Sequence, residues 1–435
     1  MHKADAFLHI KDIVPALSGA IGKAALVSAF ALAWANALQI TAPGFVMENA
    51  RLELMVSGVV TLLFSVLTRR DIPPVGTLAP LIPLIPAMAL AGVHPLALAL
   101  QVGVLGLLFA RLGVFERLTR IGGNAVRAGM LLLLGVRGLL DAIRNLHHWS
   151  LNPAGNALPV ENASSVWLIS SLLVGGMLTT ILLRVLKLGW LTVPAVGGMG
   201  LLLAALFGFT PAFSTLPGLP AIQPSLWWVD RWGLGFGLDG RTFLAALPYA
   251  LLVLILWPID TMSIQAMQSQ TRNTKGATSR KQLNEAFFIM SIRNLTGALV
   301  GGAQTAALWR SFLIPLALVR RPLRGAALLL SLFVIGFAVA GTPIDVAVFP
   351  PLVWSVLLFG VFLPMCERGA DMLRDAKQGP RNLSVAGMVA AIGLVAGPVL
   401  GWMAGLVTEG VRSAMIRRKR AQLPGALEDK AANNR

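Results

Sequence analysis

Two ionisable side chains stand inside long apolar runs of this sequence, where a charge is costly enough to need a purpose. Arg310 lies about ten residues before the Arg320–Arg321 pair. Ten helical residues rise roughly 15 Å, so if that pair marks a cytoplasmic membrane edge, Arg310 falls near mid-membrane. A charge there costs from ~2.5 to well over ~10 kcal/mol. Its guanidinium can draw an anion, with the hydroxyls of Ser311 and Thr77 as further ligands. Asp260 follows Pro258 in the apolar span 243–267, with Thr261 and Ser263 close by. A carboxylate among hydroxyl and carbonyl oxygens can hold sodium or carry a proton. The alternative is that Asp260 and Arg310 bridge and merely neutralise each other.

Such a site needs backbone to build it. Gly301-Gly302-Ala303-Gln304-Thr305 is poor continuous helix, and a half-helix starting there would aim its positive end at a bound anion. Residues 71–86 form a second candidate wall: five prolines in an otherwise apolar run leave too few donors for a regular helix. Irregular backbone at membrane depth is tolerated only where protein buries it or it lines a cavity. The spacing predicts helix starts near Gly76 to Leu78 and near Thr305 to Leu308, whose N–H groups would face the anion. The expected substrate contacts are therefore Gly76, Thr77, Leu78, Ala303, Gln304, Thr305, Arg310 and Ser311. The expected coupling-ion contacts are Asp260, Thr261, Ser263 and Gly302.

The composition says what must carry these residues. The chain has 435 residues, 56% hydrophobic and 13% charged, with a mean hydropathy of +0.74, and its apolar runs recur from end to end. This excludes an ordinary soluble globule and indicates an all-α polytopic membrane protein. The net charge of +17 sits mostly in short loops between apolar spans, as positive-inside topology requires, so no nucleic-acid partner is expected. The single cysteine, Cys366, excludes an intramolecular disulfide and a cysteine metal cluster. Neither terminus reads as a cleaved signal. Without a nucleophile–base pair, a metal-ligand spacing or a P-loop, an enzyme is not expected.

Taken in order, the spans are 21–41, 52–68, the proline-rich 71–86 leading outward, 95–109, 122–143, 166–183 and 191–209. After an outer interfacial stretch at 210–241, with Trp227, Trp228 and Trp232 suited to headgroup depth, come 243–267, 283–300, the stretch of Arg310, 326–340, 346–364, 383–395 and 398–411. About fourteen spans result, with both termini cytoplasmic. The expected organisation is an amphipathic N-terminus at 1–20, a first seven-span repeat at 21–209, the connection at 210–241, a second repeat at 242–412, and a basic tail at 413–435. Trp34-Ala35-Asn36 precedes the Pro74-Val75-Gly76-Thr77 break at an interval like that from Trp257-Pro258-Ile259-Asp260 to Gly302-Ala303-Gln304-Thr305. Seven being odd, the second half inserts inverted, the signature of a secondary transporter.

Other polar residues carry less. Arg137 and Asp141 are spaced to pair along one helix, and Arg127 lies on the same span. Lys23 reads as an inner-edge lysine snorkelling to water. His94, His147 and His148 fall in predicted outer loops without metal-ligand spacing.

The order of features resembles the sulfate-permease family that includes prestin, and more distantly the nucleobase–ascorbate permeases. Both share the uracil-permease fold of seven plus seven inverted spans. The residues that carry the resemblance are Gly302-Ala303-Gln304-Thr305 leading to Trp309-Arg310-Ser311, and Pro74-Val75-Gly76-Thr77. Phe115-Glu116-Arg117-Leu118-Thr119-Arg120 followed by Val126-Arg127-Ala128-Gly129 and the acidic position Asp260 extend it. Trp309 stands where the family has the first serine of its Ser-Arg-Ser motif, the nucleobase-permease signature is not intact, and only a short tail stands where a STAS domain would follow. The resemblance implies a divergent secondary transporter of a small anion such as sulfate, bicarbonate or a carboxylate. Sodium or proton coupling or exchange would drive it, by movement of a core domain against a gate domain. It also implies a homodimer among membrane lipids in an inner or plasma membrane, with no cofactor beyond a coupling sodium ion or proton. A nucleobase or xanthine permease is the alternative; a channel or a non-transporting scaffold stands behind both.

Overall fold

The computed structural model describes residues 8–40, 44–67, 75–114, 123–151, 162–188, 191–208, 217–221, 238–272, 280–302, 304–308, 323–341, 350–374 and 379–422. Apolar segments here become helices because buried backbone must satisfy itself within the segment. They are α1 (Ile13–Leu38), α2 (Phe45–Val60, running on as the π-turn Thr61–Leu67), α3 (Ile85–Leu90, after the 3-10 turn Ala79–Leu84), α4 (Pro95–Leu112), α5 (Gly123–Leu151), α6 (Asn162–Val185) and α7 (Thr192–Leu206). Then follow α8 (Gly240–Arg272), α9 (Arg280–Leu299), α10 (Leu323–Ala340), α11 (Pro350–Leu357), the π-turn Leu358–Phe362, α12 (Leu363–Arg374), α13 (Gly379–Ala396) and α14 (Pro398–Gln422).

The all-α expectation needs one correction: a short strand β1 (Val75–Thr77) pairs antiparallel with β2 (Ala306–Leu308). Each lies in a stretch too rich in proline or glycine to hold a helix, and the ladder gives their backbone groups partners. Several predicted loops are helix instead. His147 and His148 belong to the last turns of α5, and residues 367–374, which fall between the predicted spans 346–364 and 383–395, continue α12. His94 stands in the turn 91–94 between α3 and α4, fully buried there, and its Nδ1 accepts from Leu96 N at 3.1 Å as the N-cap of α4. Asp239 and Thr242 cap α8 reciprocally, Thr242 N donating to Asp239 Oδ1 at 2.8 Å and Asp239 N to Thr242 Oγ1 at 3.1 Å.

Four described helical stretches are by themselves long and apolar enough to cross a membrane: Pro15–Leu38, Pro95–Leu112, Val166–Val185 and Gly240–Trp257. The fourteen predicted spans outnumber them, because the remaining elements are shorter, interrupted, or carry charges such as Glu48, Arg51 and Glu53 on α2.

The chain forms two compact units. The larger comprises residues 1–115 and 134–364. In it α4 packs on α8 and α9, α2 on α10, and α1 on α2, α10 and α11. Glycines make these approaches close: a Cβ on Gly106 would stand 2.3 Å from Ser291 Oγ and 2.9 Å from the Trp257 ring, and one on Gly58 would meet Ile335. Arg51 draws a loop onto α2, its guanidinium donating to Gly218 O at 2.7 Å and Ala338 O at 3.0 Å while Glu48 accepts from Ala221 N. The smaller unit, residues 116–133 and 365–435, is built on the α13–α14 hairpin, turned at Gly397 with φ +101°. A Cβ on Gly401 would stand 2.7 Å from the Gly393 backbone and 2.5 Å from Val389 O.

Candidate functional site

The site is assembled where the two interrupted stretches of the larger unit meet. Helix α9 ends because Gly301 takes a left-handed φ of +96°. Gly301 N then donates to Ala298 O, and Gly302 N to Gly297 O at 2.8 Å. This is the paired bonding of a Schellman terminator, and glycine is the residue that adopts it without strain. The chain leaves α9 at that point and runs extended as β2. On the other side, β1 runs into the 3-10 turn Ala79–Leu84, which opens on Pro80 at its first turn. The register is Val75↔Leu308, Gly76↔Ala307 and Thr77↔Ala306, extended by Leu78 N donating to Thr305 O at 2.8 Å.

Side chains from four helices hold this crossing. Glu53 of α2 pairs with Arg293 of α9, both withdrawn from solvent, and also accepts from Thr77 Oγ1 at 3.4 Å. Arg293 reaches on to Gln304 O at 3.0 Å. Asn294 Oδ1 accepts from Ala306 N at 2.9 Å, and Trp257 Nε1 of α8 donates to Ala306 O at 2.8 Å while its ring stacks on Phe287. Gln304 Nε2 donates to Val27 O of α1 at 2.9 Å. Lys23 Nζ, also on α1, donates to Val75 O at 2.6 Å, and Thr61 Oγ1 accepts from Val75 N at 3.2 Å. Among the described atoms, Thr305 Oγ1 and Gln304 Oε1 are buried here without a hydrogen-bond partner.

The structure thus brings together Gly76, Thr77, Leu78, Gln304 and Thr305, with Gly302 in the turn that precedes them. Two expectations change. The helix start expected near Gly76 to Leu78 falls at the far end of that range, with Leu78 the N-cap of the 3-10 turn that begins at Ala79 while Gly76 and Thr77 are strand; Thr305 to Leu308 form or flank the ladder and start no helix. The N–H of Leu78, expected to face an anion, is spent on Thr305 O. Asp260, Thr261 and Ser263 lie on α8, whose Trp257 touches β2; the side chains of those three, and all of Ala303, Arg310 and Ser311, fall outside the described residues. Arg310 follows Leu308, the register partner of Val75, by two residues.

Lys23 does not snorkel; it is 2% exposed and bonded into the crossing. Glu53 and Arg293 went unremarked in the sequence. Arg293 stands well inside the predicted span 283–300, so the criterion that singled out Arg310 applied to it; Lys23 and Glu53 sit at the edges of the spans 21–41 and 52–68, where charged side chains reach for water. Arg137 and Asp141 pair as their spacing required, Nε to Oδ2 at 4.0 Å.

Known proteins frame this arrangement. A family model described as "Protein of unknown function (DUF3360)" matches residues 2–423. No curated protein matches the sequence. Among solved structures, murine Solute Carrier 26 family member A9, an anion transporter in the inward-facing state, is similar with a TM-score of 0.60 at 14% identity, over 96% of this chain and 70% of that one. The transmembrane domain of BicA, a cyanobacterium bicarbonate transporter, is similar with a TM-score of 0.53 at 16% identity, over 92% of this chain and 98% of that one. A structure of SLC26A9 matches with a TM-score of 0.50 at 12% identity, over 93% and 66%. At such identities the likeness is one of fold, and the fold is that of these membrane domains.

Proposed function

The chain belongs to the DUF3360 family of proteins of unknown function, and we propose that it is a secondary active transporter of a small anion such as sulfate, bicarbonate or a carboxylate. The observation that carries this reading is the β1–β2 ladder, two helix interruptions paired at a buried crossing with cationic side chains around them. Interrupted helices that meet in this way are where secondary transporters bind substrate. The similarity to solved anion transporters supports the same reading.

In this proposal Arg310, two residues past the ladder, draws the anion, with Ser311 and Thr305 as hydroxyl donors. Asp260 is the coupling-ion candidate, with neutralisation of Arg310 its alternative role. The two inverted seven-span repeats supply a core that carries the crossing and moves elevator-like against a gate, in a homodimer with both termini cytoplasmic in an inner or plasma membrane. Arg310→Ala is the test: uptake of labelled sulfate, bicarbonate and oxalate into proteoliposomes is expected to vanish while the protein stays folded. Unchanged uptake would remove Arg310 from the site.

One observation favours a second reading. The buried amide oxygen Gln304 Oε1, without a hydrogen-bond partner among the described atoms, suits a heterocyclic N–H, as in a nucleobase or xanthine permease. Thermal stabilisation by uracil or xanthine, but by none of the three anions, would select that reading.

A further inference from the structure

The crossing holds more positive than negative charge among its described side chains. Two cations, Lys23 and Arg293, share it with one carboxylate, Glu53. That carboxylate is already engaged by the Arg293 guanidinium and the Thr77 hydroxyl. Lys23, buried at 2% exposure, donates to the neutral Val75 carbonyl. The other described ionisable groups on elements packed against α1 are committed elsewhere. Glu48 and Arg51 of α2 pair with each other, Arg324 of α10 donates to Val66 O, and Asp12 accepts from His9 N. The described residues of α3, α7, α11 and the 3-10 turn before α3 contribute no ionisable side chain.

A buried ammonium without a counter-ion gives up its proton more readily than one beside an anion. The ligand and the proton on such a group therefore bind together, each raising the affinity for the other. The ladder end that Lys23 holds, Val75↔Leu308, is also the end from which the chain runs on to Arg310. Thr305 Oγ1, fully buried and without a partner among the described atoms, offers a hydroxyl donor at the same crossing.

We propose that Lys23 carries the coupled proton: an oxyanion entering at the β1–β2 crossing and a proton taken up by the Lys23 amine bind as a unit, and transport moves them together. This rests on the anion reading above. The step is a protonation only: the amine nitrogen takes a proton from water, and the ammonium balances the entering negative charge.

The test uses purified full-length protein in weak buffer with a pH-indicator dye, mixed with sulfate and, separately, oxalate between pH 6 and 9. The wild type is expected to take up a proton on binding, and its apparent affinity should fall about tenfold per pH unit above the lysine titration. Lys23→Arg, with a fixed charge, should bind without proton uptake and without that slope; Lys23→Met should lose proton uptake and bind at least tenfold more weakly. Binding by wild-type protein with no proton uptake overturns the proposal whether or not either variant folds, as does proton uptake retained by folded Lys23→Met. Absence of sulfate and oxalate binding alongside bicarbonate flux overturns the coupling but spares the anion reading. Absence of every anion overturns both.

Discussion

Trp257 Nε1 donates to Ala306 O at 2.8 Å, so helix α8 grips strand β2 through one hydrogen bond three residues before Asp260. Any movement of β2 is therefore felt by the helix that carries the acidic coupling candidate. Asp260→Asn is expected to leave the anion-linked proton uptake of Lys23 in place and to alter only the sodium dependence of transport. Loss of proton uptake in folded Asp260→Asn, measured with the same dye, would move the proton to Asp260.

The Glu53–Arg293 pair gives a stability prediction. Both partners are excluded from water, so removing one strands the other, at a cost of roughly 3–5 kcal/mol. Glu53→Gln and Arg293→Met should each lower the thermal midpoint strongly. The double variant Glu53→Leu/Arg293→Met should lie well above the sum of the two losses. Simple additivity would show that the pair is not a coupled unit.

Gly106 tests the packing behind the site. Alanine there places a Cβ against Ser291 Oγ and the Trp257 ring, an overpacking worth about 1–3 kcal/mol. Gly106→Ala should be less stable, and more so than Gly198→Ala, where a Cβ meets open space. Equal stability of the two variants would contradict the close α4–α8–α9 approach.

His94 gives a pH dependence. It stands just before the apolar span Pro95–Leu112, and burial holds its imidazole down to about 4 against an ordinary 6.5. The unfolded chain thus binds the proton more readily than the folded one. The stability this residue contributes is complete above pH 6.5 and is lost as the pH falls toward 4, by on the order of 3 kcal/mol at full loss. Thermal midpoints should fall across that window, and His94→Asn, which keeps a capping oxygen, should flatten the fall. An unchanged slope would mean other groups set it.

The sequence made the two interruptions legible, because proline and glycine act on the backbone locally. Residues 71–86 and 301–305 needed no knowledge of their neighbours to be marked as breaks. That they pair as strands was not legible, since the register joins β1 to chain more than two hundred residues away. The charges divided in the same way. Arg310 and Asp260 stood out against apolar surroundings far from any span end. Lys23 and Glu53, two residues and one residue inside a predicted span edge, were indistinguishable from residues that reach for water. Only the packing of α1 and α2 around the crossing shows that they turn inward. The Gln304 amide bonded to Val27 O, on a helix from the opposite end of the chain, has no signature in local sequence at all.

The distant register of the ladder bears on how the protein is made. While the ribosome is still working through the middle of the chain, β1 has no strand to meet, and its amides in a lipid setting are a liability. The prolines before it shorten that debt by removing donors, but Gly76, Thr77 and Leu78 must be sheltered until Thr305 to Leu308 arrive. Assembly of the crossing is thus a late event of biogenesis. A chain released before β2 would keep most of its helices and still be marked for degradation by the unpaired backbone at its centre.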